Sequence, residues 1–345
     1  MWIRNLLVFS CTSFVLASCS STPPTDTASS SQPSSATAKP LTTVKVGHLV
    51  ALDMAPLFVG VESGCFKQNG LAVETVAFTN PGDNNAALAG SAVDFNINPF
   101  TLPFFAAGSG VPIKTISAAG GWGVMQVIAK SQYKIGSAEA LAKYVKDNPG
   151  KKLKIATLRG DTLELILLDT FEQVGLSVND VEMVYFDDLL AMVDAFRLDK
   201  VDMLSHIKPY TTQFVENGSA TVVTDNAKIW SSNTPNTVVS VLDKTLTGQP
   251  QVVESYLKGM QCAAKIINEK PQEAISLLKG GNYYRVDDKV LLKAFETQPA
   301  PITFTPDLKA VQGVVDEMVK LNYIKADVPA SKIFDVSIIE KLEKQ

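Results

Sequence analysis

The sequence predicts a two-lobed α/β fold with a hinge and an interlobe cleft, and three observations carry that expectation. Two stretches read as copies of each other about 105 to 108 residues apart. The first holds Phe66, Gly70, Leu71, Val73, Val76, Phe78, Val93-Asp94 and Pro99-Phe100; the second holds Phe171, Gly175, Leu176, Val178, Val184, Phe186, Val201-Asp202 and Pro209-Tyr210. Phe78 and Phe186 each precede the Asp of their Val-Asp pair by 16 residues, a spacing that scattered apolar residues would rarely reproduce. Within each copy, apolar runs of strand length alternate with helical periodicity, and Gly120-Gly121-Trp122-Gly123 interrupts the pattern between them.

Residues 44–50 form an apolar run read as a buried strand, and Pro56 then opens a helix carrying Leu57, Phe58 and Val61 that stops at Gly64. Residues 72–78 alternate as a second strand. Residues 79–82 make a turn, after which Asp83 is placed to cap a helix through Leu88 that ends at Gly90. Short strands follow over 94–98 and 113–118. Strand, helix, strand, helix implies parallel pairing with right-handed crossovers.

After the glycine break, strands over 124–129, 153–156, 181–186 and 202–205 supply a second sheet, with helices over 137–147, 162–173 and 188–198. A strand over 220–224 closes this lobe. Residues 230–235 read as a second linker and 237–242 as a strand returning to the first sheet. Amphipathic helices over 250–268, 271–278, 287–298 and 307–321 complete the chain. Lobe I is therefore discontinuous, 41–120 and 236–345, and lobe II, 121–235, is inserted through two crossings, the topology of a hinge.

At the N-terminus, Arg4 supplies a positive start, Leu6 to Leu16 an apolar stretch too short to span a bilayer, and Leu16-Ala17-Ser18-Cys19 closes it. This resembles a bacterial lipoprotein signal, which implies that residues 1–19 are a signal peptide and that Cys19 begins the mature chain and carries lipid. Residues 20–40 are mostly Ser, Thr, Pro and Ala, with nothing large and apolar, and cannot form a core. They read as a disordered tether reaching on the order of 60 Å at about 3 Å per residue.

The formal net charge of -4, with no Lys/Arg cluster, argues against a nucleic-acid surface. Beyond the signal no apolar run reaches the length of a membrane span. Of four cysteines, Cys11 leaves with the signal and Cys19 is lipidated. Cys65 and Cys262 read as two buried free thiols, with a disulfide in an oxidising compartment as the alternative.

Val-Gly-His-Leu49 followed by Ala-Pro-Leu-Phe-Val59, then Ser63-Gly-Cys-Phe-Lys-Gln-Asn-Gly-Leu-Ala-Val-Glu74, resembles the start of the solute-binding proteins of sulfonate, taurine, nitrate and thiamine-pyrimidine ABC importers. Ala-Ala-Leu-Ala-Gly-Ser-Ala-Val-Asp94, Ala-Gly-Ser-Gly-Val-Pro-Ile-Lys114 and Gln-Val-Gly-Leu-Ser-Val-Asn-Asp-Val-Glu182 continue the match, which runs from about Val44 to Glu273. The resemblance implies a type II periplasmic-binding-protein fold that closes on one small solute and docks on a membrane permease served by an ATPase subunit. It implies a monomer, extracytoplasmic and lipid-anchored to the membrane, on the periplasmic side in a Gram-negative cell.

In such a fold the ligand lies at the carboxyl ends of the strands, beside helix N-termini. The loops there nominate Asp53, Met54, Asp83, Asn84, Asn98, Arg159, Asp161, Thr162, Asp187, His206 and Tyr210 as ligand-binding residues. Of the six loops concerned, 52–54, 81–84, 96–100, 159–162, 186–188 and 205–210, four carry aspartate, where an anion site would offer N–H groups and hydroxyls. Asp83, Asp161 and Asp188 are also natural N-caps. Arg159 is placed to hold an anion or to pair with Asp161. Trp122 sits at the first crossing, either stacking on a planar solute or packing the linker.

Catalytic readings fare poorly. Only His48 and His206 offer an imidazole, and neither a G-x-S-x-G elbow nor a P-loop is present. No cofactor and no metal is expected. The reading is a solute-binding protein rather than an enzyme, taking a small nitrogen-containing solute: a planar cation of guanidinium or amidine type, or a neutral heterocycle. The alternatives are a sulfonate, taurine or nitrate anion, a biosynthetic enzyme on the same fold, and a surface adhesion or structural lipoprotein.

Overall fold

The computed structural model describes residues 40–325 and 328–344. The signal segment, Cys19 and the tether up to residue 39 lie outside the described residues. Ten strands are found among the described residues: β1 (Thr42–His48), β2 (Leu71–Ala77), β3 (Phe95–Pro99), β4 (Ile113–Ala118), β5 (Met125–Lys130), β6 (Lys154–Leu158), β7 (Glu182–Phe186), β8 (Met203–Ile207), β9 (Ala220–Asp225) and β10 (Thr237–Leu242). They form two five-stranded sheets, ordered β2-β1-β3-β10-β4 and β7-β6-β8-β5-β9. β3 and β8 are buried at every position, which follows from strands covered by helices on both faces.

The two sheets place their strands alike. β1 pairs parallel with β2 and β3, and β6 pairs parallel with β7 and β8. The repeated Val-Asp motif does the same work in each: Asp94 Oδ2 accepts the Lys45 N–H at 2.8 Å and Asp202 Oδ2 accepts the Lys154 N–H at 2.8 Å, pinning the middle of β1 and the start of β6. Gly70 (φ +81°) and Gly175 (φ +68°) take the left-handed turn before each following strand.

The structure corrects the expected pairing of the fourth strand. β4 runs in the same direction as β3 but does not touch it, because β10 lies between them and pairs antiparallel with both. The return strand thus occupies the place that a simple crossover pattern assigns to β4. The equivalent place in the second sheet is held by β5, antiparallel to β8 and β9.

The cysteine expectation is also corrected. Cys65 and Cys262 form a disulfide across 197 residues of sequence, Cα–Cα 5.8 Å. It joins the short helix Cys65–Gln68 to the long helix Pro250–Glu269, which pack together closely enough that a Cβ on Gly259 would meet the Phe66 ring at 2.3 Å. Sequence spacing carried no sign of this helix contact.

The glycine break has a steric cause. Gly120, Gly121 and Gly123 all have positive φ, and a Cβ at each would collide in turn with Ile302 and Pro56, with Gln298 and Asp53, and with Pro299. The C-terminal segment around 298–304 therefore runs directly against the first crossing. One contiguous apolar core extends through both sheets, and among the described residues no helix is long and apolar enough to cross a membrane.

Candidate functional site

The carboxyl ends of the parallel strands from both sheets converge. After β1 the chain turns through Leu49 and Ala51, β3 ends at Pro99, β6 leads to Asp161 and Leu163, β7 to Leu189, and β8 ends at Ile207. These residues, with Pro81, Asn236 and Thr237, surround a small inner cavity of about 10 Å³, roughly the room one water needs. The sheets meet tightly beside it, where the Leu52 N–H donates to the Lys208 carbonyl at 3.0 Å.

Asp53 sits in the turn after β1, fully buried behind Asn236 and Thr237. Its Oδ2 accepts from Thr237 Oγ1 at 2.6 Å, the Thr237 N–H at 3.0 Å and Asn236 Nδ2 at 3.2 Å. Its Oδ1 is buried with no partner. Burial pushes this carboxyl up to about 6, against the pull of those hydrogen bonds.

Asp161 caps the helix Thr162–Gln173, accepting the Leu163 N–H at 3.0 Å and the Thr162 hydroxyl at 3.1 Å on Oδ1. Its Oδ2 is likewise buried and unpartnered. Burial pushes it too up to about 6, with the nearby Glu164 charge adding to the rise. The Thr162 hydroxyl also lies 3.0 Å from Asn236 Oδ1, so Asp161, Thr162, Asn236 and Asp53 form one chain of polar contacts across the cleft. Chemically the site has acceptors to spare and few donors.

Of the other nominated residues, several serve the lobes rather than the cavity. Asn80, not Asp83, caps the helix Pro81–Ala89, accepting the Gly82 and Asp83 N–H groups at 2.7 and 3.3 Å; Asp83 is exposed. Asn84 and Asn98 are buried and tie that helix to β3 through Ile97 O and Pro81 O. Met54 is buried, its sulfur receiving the Leu49 N–H. His206 donates through Nε2 to the Leu189 carbonyl at 2.8 Å, and burial lowers it to about 4, so it stays neutral. His48 is held by the Leu49 carbonyl and is lowered by burial as well. Tyr210 is buried edge-on to His206 with its hydroxyl unpartnered.

Arg159 neither pairs with Asp161 nor enters the inner cavity. It is exposed, its guanidinium 3.7 Å from the centroid of the Tyr185 ring. With Asp187 it stands at the rim of an outer hollow of about 300 Å³ that shares Asp161 and Pro81 with the inner cavity. Trp122 is buried in the first crossing, its N–H 3.2 Å from Gln298 Oε1, and does not line the cavity. Trp230 lies edge-on to Phe100 and its Nε1 donates to Asp169.

Sequence reasoning placed Thr237 at the start of the returning strand but nominated neither it nor Asn236, the residue before that strand, for the site. It also missed Glu164 and Lys208. Glu164 is buried and accepts from the Tyr185 hydroxyl at 2.6 Å, the Tyr323 hydroxyl at 2.7 Å and the Gly160 N–H at 2.6 Å. Lys208 is buried, donates to the Thr297 carbonyl at 2.8 Å, and is lowered by burial to about 8. Asp169, Glu172 and Glu317 bring ligand atoms within 4.8 Å of one another, but Trp230 and Lys320 already occupy two of them.

Solved structures of the same fold place this arrangement. The alkanesulfonate-binding protein SsuA from Xanthomonas axonopodis pv. citri, bound to MOPS, is 16% identical with a TM-score of 0.72, covering 86% of this chain and 99% of its own. The periplasmic nitrate-binding protein NrtA from Synechocystis PCC 6803 is 16% identical with a TM-score of 0.76, covering 88% and 89%. A Candida albicans protein described as having the generic periplasmic binding protein fold is 16% identical with a TM-score of 0.60, covering 88% and 95%. At such identities the likeness is one of fold: this chain has the periplasmic-binding-protein fold. No curated protein matches the chain. Residues 37–278 match the NMT1-like family, to which the chain therefore belongs.

Proposed function

We propose that the protein is the extracytoplasmic solute-binding component of an ABC importer, held at the membrane by lipid on Cys19. Lobe I (41–120 and 236–345) and lobe II (121–235) close over one small solute, and the closed form docks on a permease coupled to an ATPase subunit. The fold, the cleft at the strand ends and the family membership support this reading. Both histidines are buried against backbone carbonyls and line neither cavity, which favours binding over acid–base chemistry.

The solute is a small cation of guanidinium or amidine type, or a neutral heterocycle rich in donors. One observation carries this choice: two buried carboxylates, Asp53 and Asp161, flank the cleft and each keeps one oxygen unpartnered. A buried acceptor without a donor costs on the order of 1–3 kcal/mol, which a donor-bearing solute recovers. The anion reading draws on the sulfonate and nitrate named for the fold neighbours; in this chain it would fall to Arg159, which lies over Tyr185 at the rim of the outer hollow.

A thermal-shift screen of guanidino compounds, amidines, pyrimidines, sulfonates and nitrate tests the proposal. A ligand at 100 times its Kd adds about 2.7 kcal/mol of stability. Stabilisation by guanidino compounds or amidines is the expected outcome, and stabilisation by sulfonate or nitrate alone contradicts the cation reading.

A further inference from the structure

We infer that the solute has two parts, a donor head at Asp161 and Asn236 and an uncharged apolar group that fills the outer hollow. The inference rests on the cation reading above and adds to it the shape of the molecule. The inner cavity, about 10 Å³, is too small for more than a water. The space that continues from Asp161 is the outer hollow, about 300 Å³, at the lower end of the range for small-molecule sites.

Its walls come from both sides of the cleft. Leu102 and Phe105 stand on the helix Leu102–Gly108 after β3, and Leu158 and Phe186 end β6 and β7. Phe105 reaches across far enough that a Cβ on Gly160, whose φ is +70°, would lie 3.3 Å from its ring. A group lying here touches both sides, so its burial is gained on closure.

Three backbone N–H groups at the mouth are already taken. Asn80 already takes the N–H groups of Gly82 and Asp83, and Glu164 takes that of Gly160. Arg159 is laid over Tyr185, and with Asp187 it leaves the rim with one charge of each sign. Apolar walls and a rim with one charge of each sign select an uncharged substituent.

Titration calorimetry of the purified protein with acetamidine and with benzamidine tests this, since the two share a head and differ in the apolar group. Benzamidine is expected to bind about tenfold tighter or more, from the added apolar surface buried. Phe105→Ala is expected to remove most of that preference and leave acetamidine affinity within about twofold. Equal affinity of the two amidines for the wild type, or an equal loss for both in Phe105→Ala, overturns the inference while leaving the cation reading intact. Failure of both amidines to bind, with a sulfonate or nitrate binding instead, overturns the cation reading and this inference together.

Discussion

The Thr162 hydroxyl lies 3.0 Å from Asn236 Oδ1, and this contact crosses the cleft. Thr162 opens the helix that follows β6 in one sheet; Asn236 immediately precedes β10 in the other and donates to Asp53. Asp161 and Asp53 therefore terminate one polar chain, each with an idle oxygen. Two buried carboxylates held this way cost the empty protein stability and offer that same free energy back to a donor-bearing ligand.

The cost should appear in the pH dependence of stability. Both carboxyls are raised from 3.8 to about 6, so between those pH values the folded chain keeps a proton on each that the unfolded chain has lost. The resulting stability is fully present below pH 3.8 and is lost as pH rises through about 6. Denaturant midpoints of the ligand-free protein should show wild type losing about 3 kcal/mol per carboxyl, relative to Asp53→Asn and Asp161→Asn, between pH 4 and 7. A parallel pH profile for wild type and both variants would contradict the burial argument.

The Tyr323–Glu164 bond ties the C-terminal part of the chain to the helix after β6. Tyr323→Phe leaves Glu164 with its Tyr185 and Gly160 partners, so the expected loss is about 1–2 kcal/mol rather than that of a stranded carboxylate. Solution scattering of the ligand-free variant should report a larger radius of gyration than wild type; an unchanged profile and stability would show the bond to be neutral.

Loss of the disulfide should be costly. Cys65→Ser with Cys262→Ser is expected to lower stability by about 2–5 kcal/mol, and a reducing agent should lower the melting temperature of wild type but not of the variant. Equal melting temperatures with and without reductant in wild type would argue against the pairing.

Membrane attachment depends on Cys19. Cys19→Ala is expected to move the protein from the membrane to the soluble fraction without changing ligand affinity. Retention at the membrane would remove the lipoprotein reading.

Much of this architecture was legible in the sequence because periodicity is a local signal. The helices at 162–173 and 250–269, and the strands at 113–118 and 237–242, follow from their apolar spacing. The repeat of Phe78 and Asp94 in Phe186 and Asp202 reflects matched sheet positions, and Asp161 and Asp188 cap as Asp before a helix should. What stayed hidden depends on long-range meeting. Nothing near Cys65 announces Cys262, and nothing in 237–242 says that this strand runs between β3 and β4. Asn80 outcompeted Asp83 as a cap because Pro81 begins the helix three residues earlier than expected. Asn236 and Thr237 carry no local sign of a site role; only the fold sets them against Asp53.

The central claim, that Asp53 and Asp161 bind the solute, is tested most directly by calorimetry at pH 7 on wild type, Asp53→Asn, Asp161→Asn and Arg159→Gln with the strongest hit of the ligand screen. Each aspartate change should weaken binding about tenfold or more, on the 1.5–3 kcal/mol scale of hydrogen bonds to charged groups, and Arg159→Gln should leave it within about twofold, as expected of an exposed rim side chain laid over Tyr185 beside an uncharged part of the solute. Tight binding of a sulfonate or nitrate that survives both aspartate changes and is lost in Arg159→Gln would contradict it.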